Sequence, residues 1–237
     1  MKRYESALYA RGLMYVAGVD EVGRGPLAGP VCAAAVVLPP DFDVLGVDDS
    51  KKLSEKKRES LYALITERAL AWGVGFADNE RIDGINILNA TKEAMLAALR
   101  EAEAGLRKKC GERERREDRG DVVLSGISDP NASDARDSAH VIDHVLVDAV
   151  ALPEAGIPVT AIVKGDQKSV SVAAASIVAK VTRDRLMIRL DAVYPGYAFA
   201  SNKGYGTKAH YEGLAKLGLT PIHRRTFCGA RDVSPNP

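Results

Sequence analysis

The residues of this sequence best suited to chemistry are carboxylates that close apolar runs. Asp20 and Glu21 stand side by side at the end of the run Met14–Val19, and Asp148 closes a second run, V-L-V-D. Asp184 lies in the long stretch Ser169–Leu190, where Ala173, Ile177, Lys180 and Asp184 recur at three- and four-residue steps and share one helix face. Four acids gathered at one place would repel one another and hold their protons unless a cation sat among them. Oxygen ligands of this hardness suit Mg2+ or Mn2+. Two such ions roughly 3.5–4 Å apart can activate a water and stabilise the leaving oxygen in a phosphodiester displacement. Spacing alone does not bring the four together, since each acid also fits the solvated end of an element.

A shaped turn follows the first pair. The segment V-D-E-V-G-R-G-P-L-A-G-P, Val19–Pro30, passes from an apolar run into several glycines and prolines. An acid-tipped strand in an α/β sheet places its carboxylates at the rim where ligands bind. Strict alternation points Asp20 and Glu21 to opposite faces, so a shared site requires a bend at Val22-Gly23, which glycine permits. The turn lacks the G-K-S/T of a phosphate-binding P-loop.

These acids need a scaffold, and alternating strand and helix signals supply one. Met14–Val19, Ala33–Leu38, Trp72–Ala77, Val145–Val147 and Val159–Val163 read as strands. Helices are expected from Ser54 to about Ala71, over Ile85–Ala104 and over Ser169–Leu190, giving an α/β sheet with helices packed on it. Residues 1–227 form one domain in this reading, interrupted at Arg107–Ala139 by a charged, mobile insert, and 228–237 form a tail. Among 237 residues the net charge is +1, but from Lys180 to Arg231 ten Lys or Arg stand against Asp184, Asp191 and Glu212, an asymmetry suited to a phosphate-bearing partner. Three scattered cysteines suggest neither a disulfide framework nor a zinc site. Without an 18-residue apolar run or a leader pattern, a soluble cytoplasmic protein is expected, with no membrane partner.

Five blocks carry a family resemblance. D-E-V-G-R-G-P-L-A-G-P-V, D-S-K-K-L-S at Asp49–Ser54, the block K-G-D through R-L-M at Lys164–Met187, N-K-G-Y-G-T at Asn202–Thr207 and H-R-R-T-F at His223–Phe227 stand in an order that resembles ribonuclease HII, the prokaryotic type 2 ribonuclease H. The resemblance implies an α/β, RNase H-like fold: a mixed five-stranded sheet flanked by helices, with a small helical C-terminal part. It implies a monomeric endoribonuclease that hydrolyses the RNA strand of RNA–DNA hybrids. That enzyme would incise 5′ to ribonucleotides embedded in duplex DNA, leaving 3′-hydroxyl and 5′-phosphate ends. Its roles would be ribonucleotide excision repair and removal of primer RNA. Carried over by motif, Asp20, Glu21, Asp148 and Asp184 are the catalytic and metal-binding residues for two Mn2+ or Mg2+ ions. Gly23, Arg24 and Gly25 meet the ribose 2′-OH, Tyr205 stacks on the next sugar, and Lys51, Lys164, Ser169, Lys180 and Arg183 contact phosphates. L-V-D-A stands where the family usually has L-V-D-G, and Gly206 where proline is common.

Two rival readings are weaker. A non-catalytic hybrid binder has no use for four intact acids. Ribonuclease HIII carries an extra N-terminal domain, whereas nineteen residues precede Asp20 here. His140 and His144, four apart, read as no metal pair. His210 and His223 read as ordinary surface residues, Asp137 and Asp143 as solvated, and Trp72 as core.

Overall fold

A computed structural model describes residues 1–42, 53–117 and 140–229. The chain begins with helix α1 (Arg3–Tyr9), then forms the hairpin β1 (Val16–Val22) and β2 (Val31–Val37), helix α2 (Glu55–Arg68) and strand β3 (Ala71–Ala77). Helices α3 (Asn79–Ile85) and α4 (Ile87–Glu117) precede β4 (His144–Asp148) and β5 (Val159–Ile162). The short α5 (Gly165–Lys168), the long α6 (Val170–Val193), α7 (Phe199–Asn202), α8 (Lys208–Leu217) and α9 (Arg225–Cys228) complete it.

The five strands form one mixed sheet in the order β3-β2-β1-β4-β5, antiparallel on the β3 side of β1 and parallel on the β4 side. This is the expected RNase H-like α/β architecture with helical C-terminal elements. Two apolar layers cover the sheet: Ala90, Ala94, Ala98 and Ala102 of α4 pack on one face, and Ala173, Ala174, Ile177 and Val178 of α6 belong to the cluster on the other. Small residues let both helices approach the strands closely. A Cβ at Gly75 would lie 2.0 Å from the Ala94 carbonyl oxygen of α4, and one at Gly18 would lie 2.0 Å from the Ser171 carbonyl carbon of α6. Trp72 is half-buried against the α6-side cluster.

Local signals explain the boundaries. Ser54 caps α2 by accepting the Lys57 N–H, and Asp78 caps the unexpected α3 by accepting the Arg81 N–H. Helix α2 ends before Ala71 because the Leu70 N–H already donates to Val37 in the sheet. The expected start of the insert at Arg107 is corrected: α4 continues to Glu117, with Leu106 buried, Cys110 packed beside the core and Lys109 reaching the Ala69 carbonyl. The remaining insert, 118–139, including Asp137, lies outside the described residues, as do Lys51 and the tail from 230. Cys228, read as the start of that tail, closes α9 instead. His144 begins a strand rather than sharing a helix face with His140, and its Nε2 lies 2.8 Å from the Thr160 hydroxyl. Asp143 is not a solvated acid: its Oδ2 accepts the backbone N–H groups of Met14 and Tyr15, fixing the entry to β1. Among the described residues, no helix is long and apolar enough to cross a membrane.

Candidate active site

The parallel pairing of β1 and β4 sets the first two acids together. Val19 pairs with Val147, the residues just before Asp20 and Asp148, on neighbouring strands about 4.8 Å apart. Each carboxylate is anchored by a backbone amide: Asp20 Oδ1 accepts the Glu21 N–H at 2.8 Å, and Asp148 Oδ1 accepts the Gly165 N–H at 2.7 Å. The Ser176 side chain of α6 also bonds Asp20. Strand β1 runs on through Val22, so the bend expected at Val22-Gly23 follows the acids. Glu21 lies 3.4 Å from Arg24 of the turn, and both Asp20 and Glu21 feel the charge of Asp148.

Burial dominates the electrostatics. It raises the Asp20 carboxyl well above the ordinary range, and Glu21 and Asp148 add repulsion that the Ser176 hydrogen bond only partly offsets. Burial also raises Glu21, with Arg24 opposing and Asp148 reinforcing the shift. Glu21 Oε2 is buried with no hydrogen-bond partner among the described residues. A buried, orphaned carboxylate oxygen beside two further acids suits an added cation. The side chains as they stand hold no preformed cage: among the described residues, no three His, Cys, Asp or Glu groups surround a common ion position.

Asp184 is not brought to this trio by any described contact. It lies eight residues beyond Ser176 on α6, about 12 Å of axial rise, and its Oδ1 accepts from Lys180 at 2.7 Å. A different acid is tied to Asp148 through its neighbour. Asp166, 5% exposed, directly follows Gly165, whose amide holds Asp148. Its signal in the sequence is fainter than that of the others: it stands in the K-G-D segment, past the end of β5 and within the short α5.

The glycine turn is fixed from within by two buried arginines. Arg224 donates to the carbonyls of Gly23 at 2.6 Å, Arg24 at 2.8 Å and Gly29 at 2.8 and 3.0 Å. Arg183 donates to Pro30, Lys203 and Ala28. Burial lowers both guanidiniums, Arg224 to about 9, with Arg183 repelling it. Gly23 has φ +91°, and a Cβ there would lie 2.1 Å from Arg183 Nε, so only glycine fits. Tyr205, 45% exposed, lies alongside the turn, with its ring edge 3.4 Å from where a Gly25 Cβ would stand.

Several expected phosphate contacts are corrected. Arg183 is fully buried and spends its donors on carbonyls. Ser169 is fully buried as the cap of α6, bonded to the buried Glu5. Lys180 is half-buried and engaged by Asp184, whereas Lys164 and Arg24 are exposed. His210 and His223, expected at the surface, are buried as well. The clamping role of Arg224 carried no sequence signal, because its partners are backbone carbonyls rather than acids.

The chain is similar to known proteins along most of its length. A family profile described as Ribonuclease HII matches residues 17–109 and 130–230. Ribonuclease HII of Enterococcus faecalis (strain ATCC 700802 / V583) is 48% identical over 233 residues, covering 98% of this chain and 77% of that protein. The ribonuclease H2 structure from Pyrococcus horikoshii OT3 is similar with a TM-score of 0.62 at 26% identity, covering 90% of this chain and 93% of that one. The RNase HII from Archaeoglobus fulgidus, solved in complex with PCNA, is similar with a TM-score of 0.60 at 26% identity, covering 90% and 94%.

Proposed function

The chain belongs to the ribonuclease HII family, enzymes of the RNase H class, and on that premise we propose that it incises 5′ to ribonucleotides embedded in duplex DNA as well as within RNA–DNA hybrids. Asp20, Glu21 and Asp148 would hold divalent ions, Mn2+ or Mg2+, with Asp166 rather than Asp184 as the fourth carboxylate. Bound there, two ions would activate a water and stabilise the leaving oxygen, giving 3′-hydroxyl and 5′-phosphate ends. The observation that carries this reading is the orphaned Glu21 Oε2 within a buried, mutually repelling acid cluster at the sheet rim.

The chain's own groups account for selection. The Gly23-Arg24-Gly25 turn, locked by Arg224, presents backbone groups at fixed positions beside the carboxylates, suited to a ribose 2′-OH. A polar site built around one hydroxyl rejects a substrate lacking it by about 10⁴-fold or more. Tyr205, beside that turn, offers an exposed ring for the following sugar, where a deoxyribose would stack without a 2′-OH in the way. Exposed Lys164 and Arg24 are the remaining candidates for phosphates.

The test is cleavage of a duplex containing one ribonucleotide, run beside an all-RNA hybrid strand with Mg2+ and Mn2+ in turn. Wild type should cut both, and on the single-ribonucleotide duplex it should cut 5′ to the ribose. Asp20→Asn should abolish cutting while hybrid binding persists, and Arg24→Ala should slow the single-ribonucleotide cut. Full activity of Asp20→Asn would contradict the metal role. Cutting only the all-RNA strand would contradict the junction reading.

A further inference from the structure

Two buried histidines outside the carboxylate cluster form a directional chain that ends on Tyr205. The Thr220 N–H donates to His223 Nδ1 at 2.8 Å, so that nitrogen accepts and the proton of the neutral ring resides on Nε2. His223 Nε2 lies 3.0 Å from His210 Nε2, so donation there runs from His223 to His210. His210 then carries its proton on Nδ1, 2.9 Å from the Tyr205 carbonyl. Each hydrogen bond fixes the tautomer needed for the next. Burial keeps both rings neutral, pushing His223 down to about 4 and lowering His210.

The surroundings favour a positioning role over simple packing. Tyr197 and Phe199 stack 5.3 Å apart and enclose the histidine pair, a site where apolar rings would pack without polar atoms to satisfy. The Tyr205 hydroxyl makes no hydrogen bond among the described residues, so the seat of the exposed ring is set through its backbone. Its carbonyl is held twice, by His210 and by the Thr207 N–H at 2.8 Å. The same segment is tied to the turn through the Leu27 N–H to the Gly204 carbonyl.

We propose that His223 and His210 are positioning residues for substrate selection: their relay fixes Tyr205 beside the G-R-G turn and so sets the preference for a deoxyribose 3′ to the reacting ribonucleotide. This rests on the proposed contact of Tyr205 with substrate. Two amide replacements separate the bonds of the relay. His210→Asn can keep a donor near the Nδ1 position, facing Tyr205, whereas His210→Gln reaches toward His223 and abandons Tyr205. His210→Phe keeps the ring packing and loses both bonds.

The readout is the ratio of kcat/KM on a single-ribonucleotide duplex to that on an all-RNA hybrid strand, with melting curves confirming folding. Loss of one hydrogen bond's worth of positioning predicts a fall of about five- to tenfold for His210→Phe and His210→Gln, with His210→Asn near wild type. Tyr205→Ala should show at least the same fall, and adding His210→Phe to it should cause no further loss. A wild-type ratio in folded His210→Gln, or losses that multiply in the double variant, would overturn the relay. If Tyr205→Ala kept the wild-type ratio, the substrate role of Tyr205 would fail, and the purpose assigned to the relay with it.

Discussion

Arg224 gives the sharpest perturbation of the glycine turn. Its guanidinium is fully buried, and the three carbonyls it holds come from Gly23, Arg24 and Gly29. Arg224→Met fills similar volume but leaves the carbonyls of Gly23 and Gly29, both bonded in buried surroundings, without their donor. Each stranded buried acceptor costs about 1–3 kcal/mol. Relief from burying an unpartnered charge offsets part of this, since burial already pushes the Arg224 pKa down to about 9. The net expectation is a loss of about 2–4 kcal/mol. At about 2–4 °C per kcal/mol for a chain of this size, Tm should fall by roughly 5–15 °C. Arg224→Lys should fall between, because one ammonium cannot span three carbonyls in a planar fork. Thermal melting followed by circular dichroism measures the stability, and cleavage of a single-ribonucleotide duplex well below Tm measures the turn. Cleavage should drop by about tenfold or more in Arg224→Met, in line with loss of an oriented donor set. A variant that melts like wild type and cuts like wild type would refute the clamp.

Three further outcomes follow from the same geometry. Ala149 has φ +50°, a left-handed conformation that disfavours alanine; Ala149→Gly should stabilise the protein by about 0.5–1 kcal/mol in denaturant titration, and no gain would show that the segment after Asp148 is unstrained. Because His223 is held below its ordinary value of 6.5, to about 4, the folded state resists its protonation; stability should therefore be fully present above 6.5 and fall as pH drops toward 4, and a His223→Phe variant should show a shallower fall in Tm over that window. Burial and the neighbouring acids raise Asp20, so Asp20→Asn should raise the Tm of the metal-free protein while removing the Tm gain that Mn2+ gives wild type; a lower metal-free Tm would mean the cluster is not under repulsion.

Much of this arrangement was legible in the sequence because strands and their terminal acids leave a periodic trace. Asp20, Glu21 and Asp148 follow β-branched or small apolar runs, and the ladder pairs Val19 with Val147, the residues just before Asp20 and Asp148. Asp184 looked equivalent because helical spacing put it on a face of small residues, yet spacing does not register how far along the strands that face reaches. Lys180, one turn earlier, was equally visible as its ion-pair partner. Asp166 was hidden inside a four-residue helix that no periodicity marks. Buried arginines and histidines read as surface residues because their partners are backbone groups and each other, with no complementary acid to betray burial. Helix α4 outran its apolar pattern because Leu106 and Cys110 continue its buried face beneath a charged stretch.

Anomalous scattering from a crystal soaked in Mn2+ would show whether acids from separate segments share divalent ions at the sheet rim. The density should be bounded by carboxylate oxygens of Asp20, Glu21 and Asp148, at coordination distances of roughly 2.0–2.3 Å, with Asp166 closer than Asp184. Ordered density elsewhere, or none at these three acids at saturating Mn2+, would contradict it.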